Sequence, residues 1–199
     1  MPRKNTVRFD IENSFYHIYG RGVSRGKIFI DDNDRRYFLS LLEKYLSEKS
    51  DVQVSFRDKV KLVSFCLMGN HFHLLMWQTE EHSIMNLMRR ILNSYSHYFN
   101  TKYDRSGSLL ESRYKSVRVA SDEQLLHLSR YIHHNPDKYM SYKWSSLPYY
   151  LGNLEADWIN PDLVLDIDIF RGNDYREFMD EYKDMRDLLE NLKHDRADR

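Results

Sequence analysis

The chain predicts an α+β fold of the ferredoxin-like kind, a split β-α-β sandwich with an antiparallel sheet. Three observations predict it. Apolar residues switch between a period of 2 and one of ~3.6 residues, in the order β-α-β-β-α-β-α along residues 15–135. A Gly69-Asn70 pair separates two runs of strand formers and calls for a hairpin. Pro136 closes the last periodic segment, because the residue before proline is pushed out of the α region.

The elements follow in turn. Phe15-Tyr16-His17-Ile18-Tyr19 reads as a strand, stopped by Gly20-Arg21-Gly22. Asp31 to Asn33 offer helix caps, and Tyr37, Phe38, Leu41, Leu42, Tyr45 and Leu46 then form one apolar stripe. Lys61 to Met68 and His71 to Trp77 are the two strands of the hairpin, with Gly69 suited to the first central position of a type II′ turn. Ser83 is a candidate cap for a second helix, with the stripe Ile84, Met88, Ile91, Tyr95 and Tyr98, ending near Asn100. Ser112 to Ala120 reads as the fourth strand. Ser121-Asp122-Glu123-Gln124 fits a capping box for a third helix.

Beyond Ser145 the pattern weakens to short apolar clusters with polar breaks. Asn173 to Leu192 then reads as an amphipathic helix with Tyr175, Phe178, Met179, Tyr182, Met185, Leu189 and Leu192 on its apolar side. The expected organisation is a domain over 1–145 and a mostly helical, acidic C-terminal extension over 146–199.

The 199 residues carry equal totals of 30 basic and 30 acidic side chains. They are unevenly spread. Residues 1–145 hold 23 Lys and Arg against 16 Asp and Glu; residues 146–199 hold 7 against 14. A basic body points to a polyanionic partner. A single cysteine, Cys66, excludes an internal disulfide and reads as a small core residue. No apolar run reaches the ~18–20 residues that span a bilayer, and the N-terminal stretch has no secretory h-region. The expectation is a soluble cytoplasmic protein.

One stretch stands out chemically: Cys66-Leu67-Met68-Gly69-Asn70-His71-Phe72-His73-Leu74-Leu75-Met76. Side chains alternate along a strand, so His71, His73 and Leu75 share a face. Their Cα spacing of ~6.5–7 Å lets two imidazoles converge on one ion, but a metal needs further ligands. The third helix offers partners. Leu125, Leu128 and Ile132 form its apolar stripe, and Tyr131 and Asn135 lie one turn apart on its flank. Asn135 can give a neutral oxygen ligand and Tyr131 a nucleophile. Bland readings stand beside these: a His-x-His pair in a strand is often structural, and Asn-Pro is an ordinary helix stop. His133 reads as a surface residue, and His127 as an orienting neighbour of Tyr131 or an exposed side chain.

Five stretches carry a family resemblance: Tyr16-His17-Ile18-Tyr19-Gly20-Arg21-Gly22, Ile28-Phe29-Ile30-Asp31-Asp32-Asn33-Asp34-Arg35, Met68 to Leu75, Ser112-Arg113-Tyr114-Lys115-Ser116 and Leu128 to Pro136. In this order, they resemble the single-tyrosine HUH transposases, most closely the REP-associated tyrosine transposase branch. The resemblance implies that residues 1–145 are the catalytic domain and that the third helix carries the catalytic tyrosine, Tyr131. It implies metal ligation by His71, His73 and Asn135, with Mg²⁺ or Mn²⁺ as cofactor. The implied activity is cleavage and rejoining of single-stranded DNA near hairpins through a 5′-phosphotyrosine. The sequence departs from many relatives after Pro136, and the acidic segment 173–199 lies outside the shared pattern.

Candidate DNA contacts are Arg21 in the glycine-flanked loop, Arg113 and Lys115 on one face of the fourth strand, and Arg89 and Arg90 on the second helix. Tyr114, Tyr139 and Trp144 are candidates for stacking on unpaired bases. The partners expected are single-stranded or hairpin DNA, with monomer and homodimer both open. Two alternatives remain beside the strand transferase. One is a domesticated, non-catalytic hairpin-binding regulator. The other is a hydrolase using metal-activated water, against which stands the lack of Asp or Glu in the histidines' strand.

Overall fold

The structure, a computed structural model, describes residues 10–181. Four strands, β1 (Ser14–Arg21), β2 (Val60–Leu67), β3 (His71–Gln78) and β4 (Lys115–Arg118), form one sheet in the order β2-β3-β1-β4. All its pairings are antiparallel. With α1 (Asp32–Leu46) and α2 (Ser83–Lys102) between the strands, this is the expected split β-α-β arrangement.

The two faces of the sheet are covered differently. Alternation sends Tyr16, Ile18, Phe72, Leu74 and Met76 to one side, where they are buried against Phe38, Leu42, Met88, Ile91 and Tyr95 of α1 and α2. The other side receives α3 (Asp122–His133), whose Leu125, Leu126 and Ile132 pack with Val63, Cys66 and Leu75. Burial of Cys66 among these apolar groups pushes its thiol up to about 12, in keeping with a core role. Val63 to Leu67 of β2 are buried on both sides, so this strand shows no alternation.

Residues 144–180 complete the second layer through the short helices α4 (Leu147–Tyr150), α5 (Asp162–Leu165) and α6 (Tyr175–Asp180). They also shield the β2 edge. Leu67 N–H donates to Trp144 O, Ser146 N–H to Phe65 O and Asn160 N–H to Leu62 O, each at 2.8–2.9 Å. Edge groups left open would invite pairing with another chain. Of the helix expected over 173–192, the part beyond residue 181 lies outside the described residues.

Several expectations need correction. The β2–β3 turn is not type II′, because neither Gly69 nor Asn70 has a positive φ. Tertiary bonds set it instead: Ile28 and Phe29 N–H donate to Gly69 O, and Gly22 N–H donates to Asn70 O. The donating loop is itself tight; a Cβ on Gly22 would lie 2.1 Å from Gly26 O. Ser83 opens α2 but does not cap it. The N-cap position is His82, and the Ile84 N–H is met by Gln78 Oε1 from β3 at 3.1 Å. β4 is only four residues long, so Arg113 precedes it in a loop whose Glu111 N–H is tied to Arg21 O. Ser121 does cap α3, accepting from Gln124 N–H, but Gln124 Oε1 reaches back to Ala120 N–H.

Candidate active site

The α3-facing side of the central strands is polar at one end. Register pairs Tyr19 with His73, Arg21 with His71 and His17 with Leu75 across β1 and β3. Lys115 pairs with Tyr19 from β4. All these side chains therefore rise from one face. A cavity of about 430 Å³ opens there, lined by Tyr19, Arg21, His71, His73, Glu111, Arg113, Lys115, Tyr131 and Asn135 among others. His71, His73, Tyr131 and Asn135, far apart in sequence, meet in it. The loop residue Arg113 and the strand residue Lys115 both line it.

Tyr131 stands with its ring edge-on to His73, centroids 5.6 Å apart, and keeps 42% of its surface exposed. Its neighbours on α3 hold it there. Ser129 Oγ lies 2.9 Å from Tyr175 Oη. His133 sits between Tyr175 Oη at 2.9 Å and Ser146 Oγ at 2.7 Å. His134 Nε2 donates to Met179 O, and Arg130 donates to Phe178 O with its guanidinium stacked over the Phe178 ring. The expectation that His133 is a surface residue is thus corrected. It is fully buried, because the C-terminal segment covers its side of α3, and burial holds its imidazole down at about 3. His127 lies beside the Arg130 guanidinium at 3.0 Å rather than orienting Tyr131.

His71 is held from both sides. Its Nδ1 is 2.7 Å from Asn70 Oδ1, and its Nε2 is 3.1 Å from Asn135 Oδ1. The amide orientations are fixed by their other ends: Asn70 Nδ2 donates to Arg25 O, and Asn135 Nδ2 to Tyr131 O. The ring therefore faces two oxygens, each an acceptor. A neutral imidazole has one N–H and can serve only one of them. Burial, with Arg21's charge adding, holds His71 below the usual imidazole range and so disfavours the doubly protonated ring. A cation shared by Nε2 and Oδ1 removes the mismatch. The 3.1 Å separation also suits it, since two ligands ~2.1 Å from one ion and at right angles are ~3.0 Å apart. The residues present fit a divalent ion. Among the described residues no three His, Cys, Asp or Glu side chains are grouped to hold one, so such a site depends on the Asn135 amide.

His73 is 7% exposed, and burial, with the neighbouring histidines adding, pushes it down to about 3. It is a neutral donor at neutral pH. Its Nδ1 lies 2.8 Å from Nε2 of His17, which burial lowers to about 4. His17 and Tyr19 were not singled out from the sequence as site residues. The signal was available in the strand period, once β1 is paired with β3. Glu111 was missed as well; it lies in the loop before β4, where no periodicity marks it.

The remaining candidates separate. Arg89 and Arg90 are exposed on α2, in the other layer. Arg89 lines a neighbouring cleft of about 540 Å³ that shares Ser112 and Arg113 with the first. Tyr114 and Trp144 are buried, and the Tyr139 ring packs on His134 with centroids 4.1 Å apart while its hydroxyl donates to Asp180.

The sequence matches the family model described as IS200-like transposase over residues 11–135. The chain belongs to the IS200-like transposase family. All four residues of the constellation fall within the matched span. A solved structure of the REP-associated tyrosine transposase bound to a REP hairpin superposes on this family member with a TM-score of 0.58 at 14% identity, covering 82% of this chain and 94% of that one. That likeness concerns the fold. A putative transposase from Deinococcus radiodurans superposes at 0.41 with 16% identity, covering 63% of this chain and 92% of that one. No curated protein sequence matches. No helix among the described residues is long and apolar enough to cross a membrane.

Proposed function

We propose that this transposase cleaves and rejoins single-stranded DNA beside hairpins, with Tyr131 as the nucleophile. The observation that carries the reading is the meeting of His71, His73, Asn135 and Tyr131 in one cavity beside Arg21, Arg113 and Lys115. Phosphoryl transfer asks for a positioned nucleophile and for neutralised charge at the phosphate, and these residue types supply both.

Tyr131 Oη attacks the phosphorus of a phosphodiester. A new Oη–P bond forms as the bond from phosphorus to the 3′-oxygen breaks, leaving a 5′-phosphotyrosine. The proton lost from Tyr131 is balanced by the one gained at the freed 3′-hydroxyl. Because the ester is conserved, a second 3′-hydroxyl can reverse the step on another end and rejoin DNA without a nucleotide cofactor. His71, His73 and Asn135 would hold a divalent ion such as Mg²⁺ or Mn²⁺, which supplies positive charge at a non-bridging phosphate oxygen. All three ligands are neutral, so the charge reaches the phosphate undiminished. Arg21, Arg113 and Lys115 steer and hold the backbone without reading sequence. One chain brings all of these residues to one cavity.

The test is a hairpin-bearing single-stranded DNA incubated with Mn²⁺ or with EDTA. The expected result is a covalent protein–DNA adduct that requires the metal and disappears in Tyr131→Phe. An adduct undiminished in that variant removes the assignment of the nucleophile. Tight hairpin binding with no adduct across metals and substrates favours the non-catalytic regulator.

A further inference from the structure

His17 takes no part in the chemistry above, yet it makes the shortest contact of His73. We propose that His17 is a positioning residue: it accepts the Nδ1–H of His73, fixing that ring's tautomer and plane so that the His73 Nε2 lone pair faces the cavity. The inference rests on His73 acting as a ligand, as proposed above.

The geometry carries it. His17 Nε2 and His73 Nδ1 are 2.8 Å apart, and the two rings lie edge to edge and nearly coplanar, with centroids at 5.0 Å and an interplanar angle of 22°. The Tyr19 ring lies near-parallel beside both, its centroid 4.8 Å from His17 and 5.9 Å from His73. Lys115 Nζ lies 5.6 Å from the Tyr19 ring. The register across β1 and β3 holds these rings in place, with His17 opposite Leu75 and Tyr19 opposite His73. The three rings come from two strands of the sheet, β1 and β3, and none from a loop.

One hydrogen must lie between the two facing nitrogens, and it has two possible homes. On His17 Nε2, it would leave His73 as the Nε2–H tautomer, with an N–H turned into the cavity and no lone pair for an ion. On His73 Nδ1, it leaves Nε2 free to ligate. Ligating histidines ordinarily donate their second N–H to a carboxylate, a carbonyl or a water. Here the acceptor is a neutral imidazole. A carboxylate in its place would add a negative charge beside the site; His17 orients the ligand and leaves the charge presented to a phosphate intact. The arrangement suits a polyanionic substrate.

The tautomer can be read directly, without metal and without DNA. ¹⁵N-resolved NMR of the ring nitrogens in the metal-free wild-type protein should show His73 protonated at Nδ1. In His17→Phe, which keeps a ring at that position and removes the acceptor, His73 should move to the Nε2–H form. The affinity for Mn²⁺, measured by calorimetry, should fall ~10–100-fold. His17→Gln, whose amide oxygen can accept, should restore the Nδ1–H form and most of the affinity. An Nε2–H tautomer in the wild type overturns the proposal, and that measurement needs no variant to fold. So does a His17→Phe protein with the wild-type tautomer and affinity. If the tautomer behaves as stated while no adduct forms with DNA, the functional reading fails and the role of His17 stands.

Discussion

Strand β3 carries two unlike surfaces on eight residues. Phe72, Leu74 and Met76 are fully buried in a dry layer against α1 and α2. On the reverse, His71 and His73 face a cavity that Tyr131 and Asn135 close from α3. The first surface is held by volume and apolar contact, the second by hydrogen bonds between named atoms. Alternation lets one strand do both, so damage to one surface should leave the other readable.

The largest effect should come from the dry side. Phe72 is fully buried, with Phe38 5.4 Å from it, and Phe72→Ala should lower unfolding free energy by about 3–5 kcal/mol in a urea titration. His73→Ala should cost about 1 kcal/mol in the same titration, since one buried hydrogen bond is lost, yet abolish adduct formation. Equal losses of stability would break the contrast. Next, Asn135→Ala should weaken Mn²⁺ binding at least ~10-fold with the melting curve unchanged, because the amide's partners are the His71 ring and a helix-end carbonyl. Unchanged binding would remove Asn135 from the ligand set.

A pH experiment sharpens the comparison further. His133 is neutral and fully buried, with its imidazole near 3 against an ordinary 6.5. Between those values the unfolded chain takes up a proton that the folded chain refuses. Stability should therefore fall as pH drops from about 6.5 toward about 3. His133→Phe should start less stable at pH 7, because the Tyr175 and Ser146 hydroxyls each lose one hydrogen-bond partner, and show a shallower acid limb in urea titrations at successive pH values. An acid limb as steep as the wild type's would show that His133 does not contribute. The smallest effect belongs to the cavity rim. Lys115→Ala or Arg21→Ala should weaken single-stranded DNA binding evenly across sequences and reduce the salt dependence by about one unit of slope. An altered sequence preference would contradict a phosphate role.

The same comparison explains what could be read in advance. The dry face announced itself through period: the stripes of α1 and α2 and the alternation of β1 and β3 need only local rules, and Phe38, Leu42, Ile18 and Phe72 fell where those rules put them. The polar face depends on register between segments far apart in sequence. His71 and His73 are visible as neighbours, and Tyr131 and Asn135 as a helical pair; residue chemistry offers the second pair as partners of the first, and the family resemblance is what selects that pairing over the bland readings. His17 reaches His73 through a cross-strand diagonal, which a one-dimensional pattern does not display. His133 was placed on the surface because helical pitch gives its direction and not what covers it; the covering Tyr175 lies 42 residues on. The turn at Gly69 and the short β4 failed for a related reason. Tertiary bonds from the loops at 22–29 and 107–114 overrode local preference.

The central claim is that the polar face is a reaction centre with Tyr131 as its nucleophile. The most direct measurement is tandem mass spectrometry of the protease- and nuclease-digested protein–DNA complex formed with Mn²⁺. The account predicts a residual nucleotide attached through its 5′-phosphate to the peptide containing Tyr131. A nucleotide found on another residue, or joined through a 3′-phosphate, would contradict it.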